Sequence, residues 1–223
     1  MNKYALNGLY TLFGALAIAA FAFKVFQPIQ VLPRMRLSPA YSFINQDGET
    51  VTSEDFRGQF VLYSFTYTNC PSCDKMSATM KEVQARLNEV DLGNIPVSFV
   101  TISIDPDRDT AATLKEYGSN LGANFDQWTF VTSSNKALLK TIVGSGFETY
   151  YEDKGNGDFA LDPGYVLVDG WGIIRAEYRY TTEVSDADRI LRHMGVLADE
   201  VKNSKGTTKL AYEAAHLFLC YAP

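Results

Sequence analysis

The chain has 223 residues, of which 46% are hydrophobic and 21% charged, so it can build a packed domain with an appendage and is not globally disordered. Its net charge of −6 argues against a nucleic-acid surface, which needs a basic face. Three cysteines are too few for a disulfide scaffold, and no internal repeat or low-complexity run is visible.

The first element runs from Tyr4 to Phe23, twenty residues without a charge, bracketed by Lys3 and Lys24. That length suffices to cross about 30 Å of hydrocarbon as a helix. A cleavable signal is the competing reading, because Ala20-Phe21-Ala22 resembles a small-x-small site. The apolar run exceeds the usual signal core of about 7–15 residues, which favours a retained anchor over residues 1–27. Lysine and arginine placement does not settle its orientation. Residues 28–40 lie in a proline-containing stretch and read as a linker. The domain proper is assigned to 41–200, and the remainder, 201–223, to a tail.

Within the domain, YSFINQDGETVTSEDF reads as a short hairpin turning at Gln46-Asp47-Gly48. QFVLYSF (59–65) is a continuous apolar run suited to a buried central strand. After Pro71, Met76, Met80, Val83 and Leu87 recur on one helical face. VSFVTISID (97–105) is a second buried strand, Asp109 is positioned to cap a helix running to about Leu121, and WTFVTS (128–133) is a third strand. A helix over 135–143, the strand YVLVD (165–169), the strand IIRAEYRY (173–180) and a helix from about Ser185 to Leu197 complete the order. This succession predicts an α/β, thioredoxin-like fold: a central mixed sheet flanked by helices, behind an N-terminal transmembrane helix.

The chemistry lies in TYTNCPSC, where Cys70 and Cys73 stand between a buried strand and a helix. Such a pair can form a redox disulfide, hold a metal or simply fill space. A helix N-terminus favours thiolate over thiol, so Cys70 is the candidate attacking sulfur. Pro71 suits the first helical turn, and Cys73, one turn in and more buried, is the candidate resolving sulfur.

The runs FINQDGETVTSEDFRGQFVLYSFTYTNCPSC and VSFVTISIDPDRDTAATLKEYGSNLGANFDQWTFVTSS resemble the Sco/SenC family of membrane-anchored thioredoxin-fold proteins. The resemblance covers roughly 40–197 and implies copper delivery and thiol reduction during cytochrome c oxidase assembly. Two features depart from the family. Its cysteines are usually spaced CxxxC, whereas this chain has CPSC. Its copper-binding His follows an Asp just before the strand corresponding to YVLVD, whereas here Asp162 is followed by Pro163.

The resemblance implies Cu(I) as a cofactor held by Cys70 and Cys73, but two thiolates usually need a third ligand. His193 reads as a cation near a helix C-terminus, and His216 lies in the tail. Met76 and Met80 could offer thioethers but read as core. Pro163 resembles instead the cis-proline of TlpA/ResA-like thiol oxidoreductases, which faces the CxxC and shapes the partner groove. On that basis Pro163 joins Cys70 and Cys73 as a candidate catalytic residue, with a cis bond expected.

Asp105, Asp107 and Asp109 read as turn and capping residues rather than a hard-metal site. Gly144-Ser145-Gly146 and Gly155-Asn156-Gly157 bracket FETYYEDKG, read as a solvated insertion. The tail becomes apolar after Lys209, too briefly to span a bilayer. Leu217, Phe218, Leu219 and Tyr221 would be costly to leave exposed, which points to a docked helix or a partner. Cys220 is by default inert.

The function expected is thiol–disulfide redox, with or without Cu(I) handling, on the extracytoplasmic (periplasmic) side of the cell membrane as a single-pass protein. The partners expected are subunits of a respiratory or photosynthetic electron-transfer complex. The alternative is a non-catalytic accessory subunit of such a complex, with a structural CPSC disulfide.

Overall fold

A computed structural model describes residues 3–26, 29–179, 186–218 and 221–222, in two units: Met1–Pro33 with Asp199–Pro223, and Arg34–Ala198. The first unit opens with helix α1 (Lys3–Phe26), whose segment Leu6–Phe26 is long and apolar enough to cross a membrane.

The second unit is built on an eight-stranded sheet. In chain order its strands are β1 (Arg36–Leu37), β2 (Ser42–Asn45), β3 (Thr50–Thr52), β4 (Phe60–Thr66), β5 (Val97–Ser103) and β6 (Trp128–Thr132). A separate two-stranded sheet, β7 (Tyr151–Gly155) and β8 (Asp158–Leu161), precedes the last two strands of the main sheet, β9 (Gly164–Val168) and β10 (Ile173–Arg179). The spatial order is β1-β10-β9-β4-β5-β6-β2-β3. Strands β4, β5 and β6 are parallel, while β9 runs antiparallel to β4 and β10 antiparallel to β9. Helix α2 (Asp74–Ala85) connects β4 to β5, α3 (Ala111–Leu121) connects β5 to β6, and α4 (Lys136–Leu139) continues as a π-helical stretch over Lys140–Gly146. Helix α5 (Ala187–Lys202) follows β10, and α6 (Thr207–Leu217) belongs to the first unit.

The apolar run at 59–65 has its stated cause: every residue of β4 is buried, as a strand covered on both faces requires. Met76, Met80 and Val83 bury the inner face of α2. Polar groups that enter this core are paired. Thr101 Oγ1 accepts from Trp128 Nε1 at 2.8 Å and lies 2.8 Å from Ser64 Oγ. Gly164 opens β9 where a Cβ would collide with the Tyr178 carbonyl, so the strand can begin against β10 only with glycine.

Three expectations are corrected and one is refined. Asp109 does not cap α3; Thr110 does, its side chain accepting from Thr113 N, because Asp109 is turned inward. FETYYEDKG is largely solvated, as read, but it is not an unstructured loop: it feeds a hairpin, whose turn Asn156-Gly157 has positive φ at both residues, as a type I′ turn needs. His193 lies mid-helix, because α5 continues to Lys202; it is buried, with Nδ1 2.7 Å from Tyr178 Oη. Arg36–Leu37, inside the proline-containing stretch, pair with β10 as an edge strand.

One buried ion pair had no sequence signal beyond its residue types. Arg175 on β10 donates to Asp169 Oδ2 at 2.9 Å, both side chains almost wholly buried, while Asp169 Oδ1 accepts from Trp171 N and Ile173 N. Arg175→Ala strands a buried carboxylate, so chemical denaturation should show a loss of about 3–5 kcal/mol.

A second pair reports on alkaline stability. Tyr41 and Tyr63 hydroxyls lie 3.2 Å apart in the core. Burial pushes Tyr63 up from 10.0 to about 12, and burial also raises Tyr41. A folded-state pKa above the unfolded one contributes stability that is complete below about pH 10. It is lost as pH rises towards 12, because only the unfolded chain ionises there. Tyr63→Phe should therefore flatten the pH 10–12 decline by about 1.4 kcal/mol per pH unit, read from denaturation midpoints.

Candidate functional site

Strand β4 ends at Thr66, and two successive turns carry the chain to α2. Cys70 N donates to Tyr67 O at 3.1 Å and Cys73 N to Cys70 O at 3.3 Å. Cys70 and Cys73 are joined as a disulfide with their Cα atoms 5.4 Å apart. Cys73, not Pro71, borders the helix: it is the N-cap residue, and its carbonyl accepts from Ser77 N at 2.9 Å. The expectation that Pro71 lies in the first helical turn is corrected, because the tight turns closing the four-residue ring precede the first helical hydrogen bond. The N-terminal field of α2 therefore bears first on Cys73. Accessibility ranks the sulfurs as expected: Cys70 is 7% exposed and Cys73 1%. The Ser72 hydroxyl donates towards Cys70 Sγ at 3.5 Å.

The turn is held by Asp109, a residue the sequence suggested only as a cap. It lies fully buried beyond the end of β5. Its carboxylate accepts from Thr68 N at 3.0 Å, Thr68 Oγ1 at 2.5 Å and Ser103 Oγ at 2.5 Å. Asp105, also buried, pairs with Arg108, which in addition donates to Gly157 O on the hairpin turn. Asp107 faces outward and pairs with Lys136. The three aspartates thus have three different tasks. Their even spacing after a buried strand carries no signal of which one turns back into the fold.

The β7–β8 hairpin forms one wall of the site. Tyr67 donates to Asp158 Oδ1 at 3.1 Å and its ring lies 5.1 Å from that of Phe159; burial raises its pKa. Phe159 also lines an open pocket of about 280 Å³ together with Ile104, Pro106, Leu139, Tyr151 and Lys140.

Pro163 leads from β8 into β9. No peptide bond is cis among the described residues, so the expected cis bond is corrected. Asp162 N extends the hairpin ladder to Tyr150 O at 3.0 Å, so Pro163 follows directly on a paired extended segment. Two residues on, Tyr165 donates to the Met76 carbonyl at 2.9 Å and so docks β9 on the first turn of α2.

The donor set does not suit a three-ligand Cu(I) site. The reduced pair would offer two thiolates, and the described residues contain no group of three or more His, Cys, Asp or Glu side chains able to hold a metal. Asp162-Pro163 supplies no imidazole, His193 is engaged with Tyr178, and Met76 and Met80 are core residues under α2. Cys220 lies outside the described residues.

A cystine at the C-terminal end of a central parallel strand, just before the following helix, places a Cys-x-x-Cys turn on a thioredoxin-like fold. The SCO1/SenC family model matches residues 30–195, and the chain belongs to that family. It is similar to the SCO1 protein homolog of Bacillus subtilis, 32% identical over 109 residues, 48% of this chain and 55% of that protein. The matched regions span only 55% and 60% of the first two curated relatives. Among solved structures it is similar to a SCO1/SenC family lipoprotein from Bacillus anthracis, with TM-score 0.68 and 25% identity over 76% of this chain and 99% of that one. BsSco, described with a disulfide switch as a member of a family of cytochrome c oxidase assembly proteins, shares the fold: TM-score 0.65, 24% identity, 76% and 98% coverage.

Proposed function

We propose that this protein is a membrane-anchored Sco-type dithiol–disulfide exchanger, acting in the assembly of a respiratory or photosynthetic electron-transfer complex. Its domain would lie on the extracytoplasmic, periplasmic side, with residues 1–27 as the anchor. The observation that carries this reading is the Cys70–Cys73 disulfide, set in a turn that buried Asp109 holds and offered with its more exposed sulfur outermost.

The exchange balances simply. In the reduced protein the Cys70 thiolate attacks one sulfur of a partner disulfide and expels the other as a thiolate. The Cys73 thiolate then attacks Cys70 Sγ, releasing the second partner thiolate and closing the disulfide seen here. Two electrons pass to the partner, and a dithiol donor must restore the pair. Asp109 keeps Thr68 and the turn in place throughout, and Tyr165 sets β9 against the helix carrying Cys73. Copper handling would rest on the two thiolates alone, which makes it secondary to disulfide exchange here.

The deciding measurement is the reduction potential of Cys70–Cys73 on the full chain, together with Cu(I) titration of the reduced protein. A potential well above about −300 mV is expected, within reach of cellular thiols. A potential below that value, with no copper bound, would instead make the disulfide structural and the protein an accessory subunit.

A further inference from the structure

The SCO1/SenC match ends at residue 195, so α6 lies outside it and needs its own explanation. One face of α6 is docked. Ala215 is buried with Val31, and Tyr212, Ile29 and Phe23 pack around them. His216 Nε2 lies 3.2 Å from Glu200 Oε1, Asn203 donates to Tyr212 Oη at 3.1 Å, and Ala222 N donates to Val31 O at 3.0 Å. The opposite face carries Leu210, Ala214, Leu217 and Phe218 at offsets of 4, 7 and 8 from the first. Leu210 is 77% exposed, Leu217 82% and Phe218 46%.

The position of that face relative to α1 says what covers it. The ring of Phe218 lies 5.9 Å from that of Phe23. Phe23 is three residues before the end of the apolar span Leu6–Phe26, hence about 4–5 Å inside its boundary at 1.5 Å per residue. When α1 spans, a ring in contact with Phe23 stands at the depth where headgroups meet acyl chains. An in-plane helix buries its apolar face at that depth, with cations towards the phosphates. Lys205, just before α6, and Lys209, in its first turn, supply such cations.

We infer that α6 is a membrane-interface helix, laying Leu210, Leu217 and Phe218 into the lipid surface beside the point where α1 leaves it. The tail then meets the bilayer at a second place besides α1. This inference rests on α1 being a membrane span.

The test uses the full chain with Cys220→Ser, reconstituted in phosphatidylcholine–phosphatidylglycerol vesicles, with the Cys70–Cys73 disulfide left oxidised. A fluorophore is attached in turn at Leu217→Cys and, as a report on the anchor, at Phe13→Cys. Both side chains are exposed, so neither substitution disturbs packing. Lipids brominated near the headgroup should quench the label at 217, which iodide in the water should not reach, while deeply brominated lipids quench the label at 13. Iodide access at 217 with quenching retained at 13 overturns the inference and leaves the anchor standing. Protection at 217 from both iodide and bromolipid assigns the face to a protein contact and also overturns it. Loss of quenching at 13 removes the anchor, and the inference with it.

Discussion

Asp109→Ala should destabilise the domain by about 3–5 kcal/mol, because it removes the acceptor of three hydrogen bonds at once, one buried and two partly buried. The donors left behind are Thr68 N and the hydroxyls of Thr68 and Ser103; Ser103 is fully buried, and water reaches it poorly. For a chain of this size the melting temperature should fall by roughly 10 °C. The same change at Asp107, whose pairing with Lys136 is solvent-exposed, should cost less than about 1 kcal/mol. Redox behaviour should separate the two variants as well. Thr68 leads directly into the cystine turn, so a loosened Thr68 lets the turn relax when the disulfide opens. Asp109→Ala should thus accelerate reduction by dithiothreitol, whereas Asp107→Ala leaves it unchanged. Equal rates in the two variants would confine Asp109 to a folding role.

How far the sequence speaks can be judged residue by residue. The all-apolar run of β4 and the alternation of strand and helix were legible, because burial on both faces leaves a compositional mark. The location of Cys70 and Cys73 was legible for the same reason: the spacing and the strand end are both local. What was not legible depends on chain direction after a turn. Nothing local distinguishes Asp109, which folds back onto Thr68, from Asp107, which points to solvent. Arg175 reads as an ordinary strand cation until Asp169 is found beneath it. The hairpin at 151–161 was hidden because its strands are short and β7 is polar after Tyr151, with only the Asn156-Gly157 turn to announce it. Pro163 misled for another reason: a proline before a buried strand looks the same in sequence whether its bond is cis or trans.

The two cysteines should behave unequally when each is replaced, and that inequality is the sharpest prediction about function. In a Cys220→Ser background, Cys73→Ser leaves Cys70 able to attack a partner disulfide but removes the sulfur that would release the product. A mixed disulfide should therefore accumulate and appear as a reductant-sensitive band on non-reducing gels of membranes. Cys70→Ser leaves only Cys73, 1% exposed against 7% for Cys70, and no adduct should form. Either substitution should abolish net disulfide reduction. The reverse pattern, with adducts only in Cys70→Ser, would make Cys73 the attacking sulfur. The helix places it at the N-cap, where the field of α2 would favour its thiolate, so electrostatics and accessibility compete at this site. Accessibility should win, because a thiolate that cannot approach the partner sulfur in line does not react, whatever its charge.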